Sequence, residues 1–338
     1  MVTRDLIAAM PHPAILIDSD SRIAALNDTA RGLFGTAATG RNHVTVLRRP
    51  PLIEAVAAAG RGEARRVRLT LTGSDRESVH EVHAAPVGSE GGILLMLEDV
   101  SAREEADQMR RDFVANVSHE LKTPLTALMG FIETLGGPAA EDPPARRRFL
   151  SIMAREAERM NRLVADLLSL SRVEAEERTR PGGRVDLPAL VREAAGAMRP
   201  ATEEAGVAVT LEMIEAAPEI PGDTDQLIQV FTNLIENAVK YGGAEARVTM
   251  SRIARDSALH VPALAVTVAD DGPGIDQMHI PRLTERFYRV DTHRSRELGG
   301  TGLGLAIVKH IISRHRGRLR VESARGEGSR FTVVLPED

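Results

Sequence analysis

Between residues 113 and 135, Phe113, Val117, Leu121, Leu128, Ile132 and Leu135 recur at spacings of three, four and seven. At about 100° per residue these six fall within one arc of roughly 100°, which is the pattern of a helix with a single apolar stripe. His119 projects from nearly the opposite side, so it is expected to face solvent or a partner surface. Pro124 has no amide to give the carbonyl of Glu120, and a bend or loosening beside the histidine is expected.

A turn rich in glycine and proline, from Gly136 to Pro144, leads to a second amphipathic segment. There Phe149, Met153, Met160, Leu163, Val164 and Leu167 line one face, while Arg146, Arg147, Arg155, Glu158, Arg159 and Arg162 take much of the rest. Two such helices bury too little to stand alone. The expected product is an antiparallel hairpin that dimerises into a four-helix bundle. Upstream, residues 101–112 are charged and helix-favouring, with Ser101 and Glu104 spaced as a capping box. They run without a breaker into the His119 helix, so a rotation or register shift can be passed along it.

The chain has 338 residues, enough for two or three domains, a formal charge of −5 and no basic tract, which argues against nucleic acid as a partner. It has no cysteine, which excludes disulfides, thiolate metal sites and cysteine nucleophiles and fits a reducing cytosol. No apolar run approaches the roughly 18 residues that span a bilayer, and no signal-peptide pattern opens the chain, so a soluble protein is expected.

Residues 1–100 alternate short strand-like runs, such as Ala14 to Asp18, Ile23 to Asn27, Arg66 to Thr72 and Gly92 to Asp99, with small helices, which reads as a compact α+β module. His80 and His83 invite a metal reading, but residues three apart on a strand point to opposite faces. Glu174 to Arg184 is charged and then Pro-Gly-Gly, and reads as a hinge.

The remainder reads as an α/β sandwich: helix 187–205, strand 207–213, helix 224–240, strands near Arg247 and Leu264, helix 303–314 and strands near Leu319 and Phe331. Helix 224–240 is capped by Asp223, with Gln226 at the third position, and is stopped by Gly242 and Gly243. On it Asn233, Asn237, Lys240 and Tyr241 fall within about 100° of arc beside Leu227, Phe231, Leu234 and Ala238. Amide oxygens suit a magnesium ion that already carries phosphate oxygens, and a lysine offers phosphate a point charge. Asp270-Asp271-Gly272-Pro273-Gly274 ends an alternating strand, where a carboxylate can accept from an exocyclic amine and glycines let a base approach. Gly299-Gly300-Thr301-Gly302-Leu303-Gly304 opens an apolar helix, a place for anions, but no strand stands immediately before it as a Rossmann site requires. Gly326-Glu327-Gly328 precedes the last strand.

Ser118 to Leu125, S-H-E-L-K-T-P-L, resembles the phosphoacceptor box of sensor histidine kinases. The asparagine helix, Asp270 to Gly274, the glycine-rich loop and Gly326 to Gly328 resemble, in order, the N, G1, G2 and G3 boxes of the histidine-kinase ATPase fold, with Glu285 to Asp291 similar to the F box of its lid. Residues 1–100 resemble a PAS domain. The implied fold is multidomain α+β. It comprises a PAS-like sensor (1–100), a linker helix (101–112), a dimerisation and phosphotransfer hairpin (113–174), a hinge (175–184) and an ATP-binding sandwich of GHKL type (185–338). L-T-E-R-F-Y-R-V-D, with Thr284 where the wider family has phenylalanine, together with T-H-R-S-R-E-L-G-G-T-G-L-G-L-A-I-V-K-H, resembles the phosphate-regulon sensor kinases, which carry membrane helices ahead of the PAS domain. The expected location is the cytoplasm, as a soluble relative or as the cytoplasmic part of a membrane-anchored kinase.

On that likeness His119 takes phosphate from ATP, Glu120 is general base or orienter of the imidazole, and Thr123 steers water in the reverse, dephosphorylating reaction. Asn237 holds Mg2+ beside Asn233, Lys240 contacts phosphate, Tyr241 packs near the adenine and Asp270 reads its amino group. Gly272, Gly274, Gly300, Thr301, Gly302, Leu303 and Gly304 frame the nucleotide, and Arg286 or Arg289 meets the phosphates. The implied partners are a second copy of the chain and the receiver domain of a response regulator, with phosphate-starvation signalling as the context. The PAS module would bind a ligand, bind a regulatory protein, or only hold the dimer. Two other classes compare less well: a binding-only PAS sensor whose ATP domain no longer turns over would not require all these boxes. A chaperone- or topoisomerase-type ATPase has no phosphoacceptor helix before its ATP site.

Overall fold

The computed structural model describes residues 2–72, 77–88, 92–137, 141–214, 217–291 and 300–338. Gly299, the 292–299 part of the finer lid motif, and 138–140 of the hairpin turn lie outside the described residues. The chain forms two compact units, Met1–Ala115 and Asn116–Asp338.

The first unit contains α1 (Val2–Ala8), β1 (Ala14–Ile17), β2 (Ile23–Leu26), α2 (Asp28–Phe34), α3 (His43–Leu47), α4 (Pro50–Gly60), β3 (Arg65–Thr72), β4 (Glu77–Val87) and β5 (Gly92–Asp99). Its strands form one antiparallel sheet in the order β2-β1-β5-β4-β3. Alternation puts Ile15, Ile17, Ile23, Leu95 and Leu97 on a face covered by Leu52 and Val56 of α4. Asn27 is the polar fastener of this core: its side-chain oxygen accepts from Ala14 N and caps α2 at Ala30 N, and its amide donates to the carbonyls of Met10 and His12. His80 shares the buried face of β4 with Val82 and Ala84, while His83 lies on the other face.

Helix α5 (Ser101–Gly136) begins in the first unit and ends in the second. The expected capping box does not form at its start. Ser101 Oγ accepts from Val79 N, the Ser101 amide donates to Asp99, and Glu104 is drawn to Arg68 instead. The Val79 amide takes the hydroxyl that a local cap would use. Further along, α5 passes through Pro124 without interruption, and Pro124 is buried.

In the second unit α5 faces α6 (Pro143–Glu176), which is capped by Asp142, and the Phe131 and Phe149 rings lie 5.4 Å apart. Leu163, Leu170 and Val173 are buried, but Leu125, Met129, Ile132, Leu150, Val164 and Leu168 remain exposed in the single chain. Such a face is what a second hairpin would cover. Then follow β6 (Arg184–Val185), α7 (Leu187–Ala197), α8 (Arg199–Ala205), β7 (Ala208–Glu212), β8 (Ile220–Pro221), α9 (Thr224–Tyr241), β9 (Glu245–Ile253), β10 (Ala263–Asp270), α10 (Gly304–Arg314), β11 (Arg318–Ser323) and β12 (Ser329–Pro336). The expected single helix over 187–205 is thus two, because Pro200 cannot give an amide to the preceding turn and instead sits in the first turn of α8.

The sheet runs β11-β12-β10-β9-β7, antiparallel except for the parallel β7–β9 pair. On α9, Leu227, Phe231, Leu234 and Ala238 are buried, as are Ile307, Val308 and Ile311 on α10 and Leu264, Val266 and Val268 on β10. These form the layer between helices and sheet. The Asp223 cap of α9 is one-sided: Asp223 Oδ1 accepts from Gln226 N, but the Asp223 amide donates to His315 Nε2 rather than to Gln226. At the segment expected to act as a hinge, α6 reaches Glu176 and its end carries ion pairs to the C-terminal part. Glu174 pairs with Arg286 at 2.6 Å, Glu176 with Arg314 at 2.9 Å and Glu177 with His310 at 3.1 Å.

Candidate active site

The polar stripe of α9, the end of β10, the lid segment and the glycine-rich loop meet around one cavity of about 320 Å³. Asn233, Asn237, Lys240 and Tyr241 form its α9 wall, which follows from their spacing beside the buried stripe of the same helix. Lys240 Nζ is held 2.7 Å from Glu236, one turn earlier, and Glu236 itself lines the cavity.

Asp270 is the carboxylate that faces the cavity, while its neighbour Asp271 is turned away to accept from the Glu245 amide at 2.9 Å. Burial pushes the Asp270 carboxyl above its ordinary range, opposed by the bond it accepts from Gly272 N. The backbone bonds to Asp271, first that from Glu245, hold its carboxyl below that range. Gly274 has a φ of +67°, and a Cβ there would come within 1.8 Å of the Ala324 carbonyl. Only glycine fits.

Opposite, Gly300, Thr301, Gly302 and Gly304 line the cavity at the N-terminus of α10. Gly302 has a φ of +73°, and its carbonyl accepts from Phe287 N at 2.8 Å, which ties the loop to the lid segment. Leu283, Ile275, Tyr288 and Phe331 supply apolar wall. The Tyr288 hydroxyl lies 2.6 Å from His279 Nδ1, and the Arg282 guanidinium covers its ring at 4.3 Å.

Of the two lid arginines, Arg289 lines the cavity and Arg286 does not, being engaged by Glu174 on α6. Gly272 and Leu303 also stand behind the wall, Leu303 being fully buried and Gly272 packed where a Cβ would meet Gly242 Cα at 2.7 Å. Arg289 is only 5% exposed; its guanidinium lies 3.1 Å from Glu120, which also accepts from Arg159 at 2.7 Å. Arg289 Nε is buried with no hydrogen-bond partner among the described residues. That orphan donor beside the cavity suits an anionic ligand.

His119 is exposed on α5 and lies outside the cavity wall, and Thr123 donates its hydroxyl to the His119 carbonyl at 3.1 Å. Glu120 instead shares a narrow cleft with Pro124, Arg159, Met160, Leu163 and Thr301. Spacing alone placed Arg159 away from the apolar face of α6. The tertiary contact turns it inward. Arg162, placed by spacing only on the polar face of α6, and Asp166, which sequence reasoning passed over, line the cavity; no motif marks this, because it comes from α6 lying against α10.

Among the described residues no cluster of three or more acidic or imidazole side chains can hold a metal alone. On α9 the donors at the cavity are the neutral amides of Asn233 and Asn237 with Glu236, a set that suits a divalent ion arriving with phosphate oxygens and waters of its own.

Residues 222–338 match the histidine kinase-, DNA gyrase B- and HSP90-like ATPase family, residues 109–176 the His Kinase A phospho-acceptor domain and residues 7–105 the PAS fold. The phosphate regulon sensor protein PhoR of Pseudomonas aeruginosa is 36% identical over 328 residues, covering 96% of this chain and 72% of that protein. The chain belongs to the sensor histidine kinase family. This histidine kinase is also 36% identical over 253 residues to the sensor histidine kinase WalK of Bacillus subtilis, where it covers 74% of its own length and 40% of that protein's. Among solved structures, the histidine kinase AdeS of Acinetobacter baumannii matches 65% of the kinase and 98% of its own chain, with a TM-score of 0.51 and 25% identity. The histidine kinase ThkA, solved in complex with the response regulator protein TrrA, matches 99% and 98% with a TM-score of 0.52 and 19% identity, a likeness of fold. A protein-histidine kinase of this family uses ATP. No helix among the described residues is long and apolar enough to cross a membrane.

Proposed function

We propose that ATP fills the α9–β10–α10 cavity and that His119 is its phosphoryl acceptor. The single observation carrying this reading is the cavity itself, where residues as far apart in sequence as Asn233, Asp270, Arg289 and Thr301 converge. Asp270 accepts from the adenine amino group, Tyr241 packs near the ring, and Lys240 and Arg289 take phosphate oxygens. Asn237, with Asn233 beside it, would hold Mg2+, which when bound neutralises phosphate charge. Neutral His119 attacks the γ-phosphorus in line: a nitrogen–phosphorus bond forms, the bond to the bridging oxygen breaks, and ADP leaves. Glu120 keeps the attacking nitrogen unprotonated.

Since His119 stands outside the cavity, transfer requires the ATP-binding part (185–338) to shift along the hairpin (113–174). That shift releases Arg289 from Glu120 and the contacts at the 175–184 segment. The kinase then passes phosphate to an aspartate of a response regulator, as suggested by the partner in the ThkA complex, and Thr123 steers water when the regulator is dephosphorylated. A homodimer built on the exposed hairpin face, a PAS module (1–100) joined through the helix 101–112, and a role in phosphate limitation like that named for PhoR complete the proposal.

Incubation with γ-labelled ATP and magnesium, followed by acid or alkali, tests this directly. Label lost in acid, stable in alkali and absent from His119→Gln and Asn237→Ala is the expected result. Label retained in His119→Gln would overturn the assignment.

A further inference from the structure

We propose that Asp166, on the phosphotransfer hairpin, occupies the anion position of the glycine-rich loop and competes there with the phosphates of the nucleotide. The proposal rests on the reading of the cavity as an ATP site. Thr301 donates its hydroxyl to Asp166 Oδ2 at 2.7 Å while accepting from Leu303 N at 3.3 Å, so the carboxylate sits over the loop that opens α10. That is where a phosphate gains most from backbone amides and the helix dipole.

The charges around it point the same way. Asp166 and Glu236 both line the cavity near Lys240, and Lys240 is already paired with Glu236. A nucleotide arriving with Asp166 in place would bring a polyanion against two carboxylates in a partly dehydrated space, where like charges repel more than in water. Burial favours the protonated Asp166, and the nearby Glu236 adds to that, while Thr301, Lys240 and Arg162 oppose it. The carboxylate is therefore held in place by its bond to Thr301 against an unfavourable setting. Nucleotide phosphate can replace that bond. Binding of nucleotide and docking of α6 on Thr301 then exclude one another, and by linkage each weakens the other equally.

Titration calorimetry on the full chain with AMPPNP, the non-hydrolysable ATP analogue, and with adenosine tests this. Asp166→Asn keeps an acceptor for Thr301 but loses the charge. It is expected to bind AMPPNP about fivefold tighter or more and adenosine within about twofold of wild type, the low end of ordinary site coupling. Asp166→Ala, which loses charge and acceptor, is expected to tighten AMPPNP at least as much. Unchanged or weaker AMPPNP binding in Asp166→Asn would overturn the proposal while leaving the ATP site intact. Equal tightening of adenosine would also overturn it, since a plain obstruction rather than phosphate competition would then be at work. If wild type and both variants all fail to bind AMPPNP, the nucleotide reading itself falls, and this inference with it.

Discussion

The Arg289 guanidinium lies 3.1 Å from the Glu120 carboxylate, so an arginine of the cavity wall is held by the residue beside His119. Arg289 cannot serve Glu120 and a phosphate with the same donors. On the proposed function, the pair would have to open before Arg289 meets phosphate.

Glu120→Gln removes the charge that holds Arg289 and any proton-accepting role toward His119. Autophosphorylation is expected to fall about 100-fold, the lower range for a lost general base, without weaker ATP binding. Initial rates with labelled ATP check it. A rate near wild type would remove Glu120 from the reaction.

Asp270→Asn keeps an acceptor for Gly272 N but offers the adenine amine an ambiguous amide. ATP affinity is expected to drop about tenfold, the cost of one impaired buried hydrogen bond. On the proposed role the binding form is the carboxylate, and burial raises its proton affinity. Affinity is thus expected at neutral pH and lost as pH falls through a pKa above the ordinary aspartate value. A Kd profile against pH, flattened in Asp270→Asn, is the measurement.

His315 is 1% exposed, lies with Nδ1 2.7 Å from the Ile311 carbonyl, and accepts from Asp223 N at 3.0 Å through Nε2. Burial depresses its pKa, partly offset by Ile311 and Asp223 and reinforced by Arg314 and Arg180. The unfolded chain therefore protonates first. The stability of the fold around His315 should be full above about pH 6.5 and decline as pH falls below it, toward the depressed folded value. Thermal melts of wild type and His315→Gln against pH test this; a slope shared by both would exclude His315 as its source.

Gly274→Ala forces a Cβ onto the Ala324 carbonyl in a left-handed backbone. A loss of about 3 kcal/mol or more is expected, well above an ordinary surface change. Chemical denaturation with and without AMPPNP would show it. A variant as stable as wild type would mean that the turn is free to rearrange.

Periodicity placed the stripes of α5, α6 and α9 and hence the side on which Asn233, Asn237 and Lys240 stand. Turn chemistry located Gly274 and the start of α10. Caps changed where a local rule met a tertiary partner: Ser101 gave its hydroxyl to a strand amide, and Gln226 lost its reciprocal cap to His315. Pro200, whose effect is local, divides 187–205 into α7 and α8.

What the sequence determined by itself is the order of elements, the exposure of His119 and the family, because helical and strand periods and glycine-dependent turns are written in neighbouring residues. What only the tertiary structure decided is which charges meet: Arg289 rather than Arg286 at the cavity, Arg159 on Glu120, and Asp166 on Thr301. Those pairings join residues up to 169 positions apart, as in Arg289 and Glu120, and no local spacing carries the packing of α6 against α10 that brings them together.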